Sequence, residues 1–364
     1  MSSPRSLPII KASGTHYEVG YQIGIKTKEL IHSALKKELF DKAVSKINAD
    51  SEYKQLYDGY LSVVAEEYPQ YVEEMQGIAD GSGTSFQKIF ICSLYEFQLL
   101  LVEKSASLRC TDVFVNTEKA TCFGHNEDAV EEDVNICYIL DADIVNDRPR
   151  GRLLVDRERF VCFCYPAMNV LLRACLSATS PIHLREIIIN HGYGVASPVS
   201  LNVAFLSDKQ TLCHYDIYTS RNSDEHGRKT EYEYLEIRKQ KETAGEQYGE
   251  KYTYGYFFHG NEFRSVKNVC DIHPNSAKRT QFLASLCTSA VTTKANVKEL
   301  LGHDRIYQTM ESKDKIGVMV TIATAVFDLD KEELEIYDNT RPHANIEPNI
   351  VFKLDACGSI KPLK

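Results

Sequence analysis

The pattern of apolar residues changes once along this chain, near residue 110, and that change limits the folds open to it. Before it, apolar side chains recur at helical spacing. Val19, Ile23, Leu30, Ile31, Leu35 and Leu39 form one stripe, with Lys26, Lys28, Lys36 and Lys37 on the exposed side. A second helix is predicted from about Ser51 to Ile78, ended or kinked in its first part by Pro69 and stopped at Gly81-Ser-Gly83. Ser85 is placed to cap a third, running to about Glu103. Beyond the change, Thr111-Asp-Val-Phe-Val115 alternates as a strand does. Asn116 to Lys119 reads as a turn and Ala120-Thr-Cys-Phe-Gly124 leads out of it, which predicts a β-hairpin. Further strands are expected at 135–144, 152–154, 160–165, 200–206, 211–218, 317–328 and 334–337, with helices at 170–178, 182–191, 280–286 and 295–301. Residues 219–252, rich in Lys, Glu, Arg and Gly, read as an exposed excursion. Helices then hairpins, twice over, predict an α+β layered domain of antiparallel sheets rather than βαβ winding.

Composition excludes several classes. With 43% hydrophobic residues, 21 Tyr and 15 Phe, the chain buries too much apolar surface to be disordered. The best apolar run, Ile89 to Val102, is interrupted by polar residues and falls short of the roughly 18 residues of a membrane span. A net charge of −9 opposes a nucleic-acid partner. Eleven cysteines, an odd number without a Cys-x-x-Cys, read as reduced thiols. The opening Met1-Ser-Ser-Pro-Arg5 has no apolar run of signal-peptide type, so a cytoplasmic chain is expected. Cys162 and Cys164 sit in an apolar strand-like run without partner ligands and are expected to be core thiols, not a metal site.

Cys110 stands apart from the other thiols. It lies where helix gives way to strand, and the strand folds back through Gly124-His-Asn-Glu-Asp128, a cluster of ionisable groups. If Val115 pairs with Ala120, Cys110 lies opposite His125; a one-residue bulge moves it opposite Asn126. The spacing of Cys110 and His259 also suits a papain-type protease. That reading fails because a papain-type Cys opens a helix and Cys110 opens a strand, and the chain has no Trp.

Six segments in order resemble the acyl-CoA:isopenicillin N acyltransferase family, the C45 peptidases. They are Gly14-Thr-His-Tyr-Glu-Val-Gly-Tyr-Gln-Ile-Gly24, Cys110-Thr-Asp with Gly124-His-Asn-Glu-Asp128, Gly194-Val-Ala-Ser-Pro-Val-Ser-Leu-Asn202, His259-Gly-Asn-Glu-Phe263, Ser276-Ala-Lys-Arg279 and Val320-Thr-Ile-Ala-Thr-Ala-Val-Phe-Asp328. The resemblance implies an N-terminal nucleophile (Ntn) hydrolase fold, an αββα sandwich. It also implies self-cleavage at Arg109–Cys110, leaving a small chain 1–109 associated with a large chain 110–364. The new α-amine, with an ordinary pKa of about 8, would then activate the Cys110 thiol. Asp128 would orient that amine, Asn261 would donate to the oxyanion, and Arg279 would face Asp128 or a substrate carboxylate with Ser276 nearby. Asn126, Thr111 and Asp112 would support the site, while His125 and His259 read as structural neighbours, since the α-amine is the base. The implied substrates are small N-acyl amides such as β-alanyl conjugates of biogenic amines, with no cofactor.

The chain departs from the family's pattern twice. Arg109 stands where Gly is usual before the nucleophile. After Pro166 the chain runs directly into Ala167-Met-Asn-Val-Leu-Leu-Arg173 and lacks one central hairpin, about 30 residues on usual strand lengths. An acyltransferase on the same site, and an inactive or shortened isoform, are therefore the alternative readings.

Overall fold

The structure is a computed structural model that describes residues 7–36, 38–94, 110–145, 157–164, 170–189, 199–205, 208–219, 230–240, 252–260, 274–286, 290–309, 319–338, 340–354 and 360–362. It is a mixed α+β fold rich in antiparallel sheet, and it divides into two compact units. No helix among the described residues is long and apolar enough to cross a membrane.

One unit comprises residues 7–105 and 135–190. Strand β1 (Ile9–Gly14) pairs in parallel with β4 (Tyr138–Val145), and β4 pairs antiparallel with β5 (Arg157–Cys164). Thr15 caps helix α1 (His16–Lys26) in a capping box with Glu18, each side chain taking the other's backbone N–H. The single stripe expected over residues 19–39 is divided into α1, α2 (Lys28–Leu35) and α3 (Glu38–Ala49). The long second helix is two: α4 (Ser51–Glu67) and α5 (Pro69–Ser82), with Pro69 opening the latter, where its missing N–H costs nothing. Gly83 closes α5 in the left-handed conformation (φ 72°). Ser85 caps α6 (Phe86–Ser93) through the N–H of Lys88; its expected continuation to Glu103 passes out of the described residues after Leu94.

The glycines of the opening motif have a packing reason. A Cβ at Gly20 would overlap the carbonyl oxygen of Glu74, and one at Gly24 that of Ile78. Gly77 and Gly81 of α5 meet the carbonyls of Tyr17 and Tyr21 in the same way. Two glycines four residues apart on each helix thus let α1 and α5 cross with their backbones in contact. Beside the crossing, buried Glu74 accepts from His16 Nδ1 at 2.9 Å and from Arg173 Nη2 at 3.0 Å. Burial alone would raise this carboxyl, but Arg173 and His16 outweigh it and hold it at about 2.

The other unit holds the described residues within 110–134 and 199–362. Its sheet has ten strands in the order β13-β12-β11-β10-β3-β2-β9-β8-β7-β6. The hairpin of β2 (Thr111–Asn116) and β3 (Thr121–Val130) is central. It is flanked by β9 (Tyr252–His259) on one side and β10 (Met319–Asp328) on the other. Beyond them lie β6 (Val199–Phe205), β7 (Asp208–Thr219) and β8 (Thr230–Arg238), and β11 (Glu333–Asp338), β12 (Ile350–Leu354) and β13 (Ile360–Pro362). Alternation sends Val113, Val115 and Cys122 to one face, against Leu283, Val297 and Leu301 of the helices Pro274–Ala284 and Lys294–Leu301. Phe114, Phe123 and Phe257 go to the other, with Leu212 and Ile237. Gly124 is glycine because Leu301 and Val297 occupy the space of a Cβ.

Several expectations are corrected. The charge-rich stretch 219–252 contains β8, whose Tyr232 and Tyr234 alternate with Glu231 and Glu233 and are partly covered by Tyr215. Among the described strands, β1 pairs with β4 and β8 with β9 in parallel. The helix expected at 280–286 begins at Pro274. The strand at 152–154 and the junction 165–169, where a hairpin was judged absent, lie outside the described residues.

The α1–α5 crossing yields a paired prediction. Gly20→Ala should lower the unfolding free energy by about 1–3 kcal/mol through overpacking. Gly59→Ala, at a helical site with nothing within 4 Å of the new Cβ, should be neutral or add a few tenths. Denaturant unfolding of both variants checks this; equal effects would show that the crossing tolerates a methyl group.

Candidate active site

The hairpin register decides which side chains meet Cys110. Thr117 closes the turn by accepting the N–H groups of Lys119 and Ala120 on its hydroxyl, so Asn116 pairs with Thr121. Thr111 then pairs with Asn126 and Asp112 with His125, and the next step brings Cys110 level with Glu127. The expected cross-strand partner, His125 or Asn126, is thus replaced by Glu127 because the turn lies one residue later than predicted on each strand, although His125 still lies beside the thiol. The two-residue shift keeps the face. Cys110, Asp112, His125 and Glu127 share one side of the hairpin, and Thr111, Asn126 and Asp128 share the other.

On the first face, Cys110 Sγ lies 3.9 Å from Glu127 Oε2. His125 stands between two carboxylates, with Nδ1 2.7 Å from Asp112 Oδ1 and Nε2 3.0 Å from Glu127 Oε2. Asp112 is also met by His259 Nδ1 at 3.3 Å. Burial opposes the imidazolium of His125, but the adjacent Asp112 carboxylate prevails and raises its pKa well above the ordinary value. Burial likewise opposes the Asp112 carboxylate, and His125 and His259 overcome it, so Asp112 titrates far below the usual range. Burial pushes the Cys110 thiol up to about 11, and Glu127 adds to this while His125 works against it. Behind His259, ring centroids 4.8 Å apart, buried His214 has Asn202 Oδ1 at 2.7 Å and Asp216 Oδ1 at 3.1 Å.

The opposite face is closed. Arg279, with no exposed side-chain surface, reaches up from its helix and donates through Nη1 to the Cys110 carbonyl at 2.8 Å and to the Thr111 hydroxyl. Its Nη2 donates to Ser276 Oγ at 3.4 Å, one helical turn away. Asp128 Oδ2 lies 3.6 Å from Arg279 Nη1, an ion pair longer than a hydrogen bond, and Thr321 donates to Asp128 Oδ1 at 2.6 Å. Asn126 is a clamp: it accepts from Thr324 at 2.6 Å and donates to the Leu301 carbonyl at 2.9 Å, tying the hairpin to a helix end. A bulge in β10 between Thr321 and Ala323 lets both threonines point to this face although they are three residues apart. Burial raises the Asp128 carboxyl to about 7, against the pull of Arg279 and Thr321.

The structure therefore brings together Cys110, Thr111, Asp112, Asn126, Asp128, Ser276 and Arg279 at one end of the hairpin. Asn261 and Arg109 lie outside the described residues. The sequence reading passed over Glu127, although its place two residues from His125 on a strand puts both on one face. Thr321 and Thr324 carried no signal, because the bulge that aligns them is invisible to a period of two.

Among the described residues, two groups bring metal-ligating atoms within 4.8 Å of one another: Cys110 with His125 and Glu127, and His214 with Asp216 and His259. In the first, both nitrogens of His125 are committed to carboxylates, and an imidazolium so held offers no lone pair. In the second, His214 has an oxygen at each nitrogen. Both read as hydrogen-bonded networks rather than ligand shells.

No family model matches the chain. The chain is 26% identical to the β-alanyl-dopamine/carcinine hydrolase of Drosophila melanogaster, over 94% of its own length and 96% of the relative's. The match extends over 393 positions, more than the 364 residues of this chain, so the relative has residues without a counterpart here. A relative spanning nearly the whole chain thus stands behind the resemblance read from the motifs.

The Asp128 carboxyl gives a pH prediction. Its folded-state pKa of about 7 lies above the ordinary 3.8, so the folded protein keeps a proton that the unfolded chain releases. Its contribution to stability therefore falls as pH rises from about 4 to 7. Asp128→Asn removes this slope, so the variant should gain stability relative to its parent as pH rises from about 4 to about 7. Urea unfolding of Asp128→Asn and its parent across this pH range measures it; a parallel pH dependence would show that Asp128 titrates normally.

Proposed function

We propose that this chain is a self-processing cysteine amidohydrolase that cleaves small N-acyl amides, among them β-alanyl conjugates of biogenic amines. The observation that carries the reading is the coincidence of a hydrolase relative over 94% of the chain with a partly exposed Cys110 whose carbonyl is gripped by Arg279 beside Asp128.

In the uncut chain the thiol has no α-amine to activate it, and burial with Glu127 keeps it protonated. Attack of Cys110 Sγ on the Arg109 carbonyl carbon breaks the Arg109–Cys110 amide, forming a thioester and releasing the Cys110 α-amine. Water then hydrolyses the thioester, leaving Arg109 as a carboxylate and Cys110 as the first residue of the large chain, with the small chain still associated. The thiol proton is the one the departing nitrogen gains, and His125, held between Asp112 and Glu127 and within 4.8 Å of Sγ, is the group that relays it. Arg279 fixes the carbonyl on the other side of Cys110, so the strand start stays in place while its amide is cut.

After cleavage the α-amine serves as base for the thiol. Asp128 Oδ2, buried and without a hydrogen bond among the described residues, is the acceptor that orients the amine. The thiolate attacks the substrate's acyl carbon, the amine leaves with a proton, and water resolves the thioester to the free acid. Asn261 is assigned to the oxyanion, where one side-chain amide contributes about 3–4 kcal/mol. Reduced thiols suit a cytoplasmic setting, and no cofactor enters these steps.

A second reading, an inactive shortened isoform, draws on the 393-position match, which leaves the relative with residues this chain lacks. Intact mass separates the two. Self-processing predicts chains of about 12 and 29 kDa with Cys110 at a new N-terminus, and Cys110→Ala should leave a single 41.3 kDa species. The processed protein should release β-alanine and dopamine from β-alanyl-dopamine. A folded wild-type chain that stays uncut would overturn the active reading.

A further inference from the structure

Glu127 is at odds with the chemistry of its neighbour. A carboxylate 3.9 Å from the nucleophilic sulfur raises the cost of forming a thiolate. The Asp112 carboxylate already balances His125, so Glu127 leaves one net negative charge beside Cys110. Its side chain is 23% exposed, as against 5% for Asp112 and none for Asp128, so among these acids it is the one a ligand can touch. A local conflict of this kind persists where something outside the free protein resolves it.

We propose that Glu127 is the specificity residue of the site, anchoring the ammonium group of a β-aminoacyl substrate next to Cys110. The assignment rests on the reading of Cys110 as nucleophile. In a β-aminoacyl amide the ammonium is three bonds from the acyl carbon, a reach of about 3.8 Å. With the acyl carbon about 3–3.5 Å from Sγ, as attack requires, that ammonium can reach Glu127 Oε2 at about 2.8 Å. The bound cation neutralises Glu127 at the moment the thiol must ionise, so the correct acyl group also relieves the penalty on the nucleophile. An acyl chain of the same length without the amine gains neither effect.

The test compares β-alanyl-dopamine with N-propionyl-dopamine, which differ only in the amine, on wild-type protein and Glu127→Gln. Wild type should favour the β-alanyl amide in kcat/KM by about ten- to hundredfold, the worth of a charge-assisted hydrogen bond. Glu127→Gln should lose that preference, mainly through a higher KM for the β-alanyl amide, while the propionyl amide is held or improved. Glu127→Asp, which keeps the charge on a shorter arm, should retain part of it. An equal loss on both amides in Glu127→Gln would overturn the proposal and assign Glu127 to the nucleophile. If wild type turns over neither amide, equilibrium binding of the two to that same protein decides. Tighter β-alanyl binding that depends on Glu127 upholds the anchor while the hydrolase reading falls, and equal binding overturns the anchor itself.

Discussion

Everything at the site depends on the register of one hairpin. Side chains of a strand alternate between faces, so the pairing of Asn116 with Thr121 sorts a run of polar residues into two chemically different sets. Cys110, Asp112, His125 and Glu127 fall on a partly exposed side, while Thr111, Asn126 and Asp128 fall on a closed side under two helices. A slip of one residue would exchange them, putting Asp112 and His125 under the helices and Val113 and Val115 on the open face. The aliphatic packing of Val113 and Val115 against Leu283 and Leu301, and the stack of Phe114 on Phe123 at 5.2 Å, hold the register on both faces.

The closed side shows how a buried charge is tolerated. Arg279 is fully desolvated, yet its fork is spread over a carbonyl, a hydroxyl and Ser276 as well as Asp128. The Asp128 carboxylate receives only one short hydrogen bond, from Thr321, and its second oxygen is left without one. Removing either partner of such a pair strands the other in a low dielectric, so the cluster fixes the strand start more firmly than it stabilises the fold. Asn126 does comparable work with neutral groups, pinning the hairpin to the Leu301 carbonyl and to Thr324.

Much of this was legible in the sequence, for physical reasons that can be named. Val19 and Ile23 marked a helix, while its cap by Thr15 and Glu18 emerged only in the structure. The hairpin was legible from alternation in Thr111–Val115, and the serine cap at Ser85 from its position before an apolar run. The turn was misjudged by one residue because Thr117, not Asn116, supplies the side chain that closes it. Strand β8 was hidden because its exposed glutamates dominate the composition, while its tyrosines carry the packing. Among the site residues, Cys110, Asp128 and Arg279 stood out as chemistry-bearing types in resembling motifs. Thr321 and Thr324 did not, since a bulge in β10 breaks the period that would have linked them. Local periodicity reports which face a residue takes only while the ladder is regular.

The uncut chain has a charge arrangement that fits one step of its proposed chemistry better than the next. With no α-amine, the thiol has for neighbours the His125 imidazolium, able to give a proton to a departing nitrogen, and the Glu127 carboxylate, which opposes a thiolate. The proposed cleavage would supply the missing base, and a cationic acyl group the missing counter-charge. Of the causes that hold the thiol high, the ammonium would cancel Glu127, while the amine would give the proton somewhere to go. Burial, the first cause, remains throughout and excludes the water that would weaken both contacts. On this account Cys110 is poorly activated until it is both the first residue of its chain and faced with a substrate of the right charge.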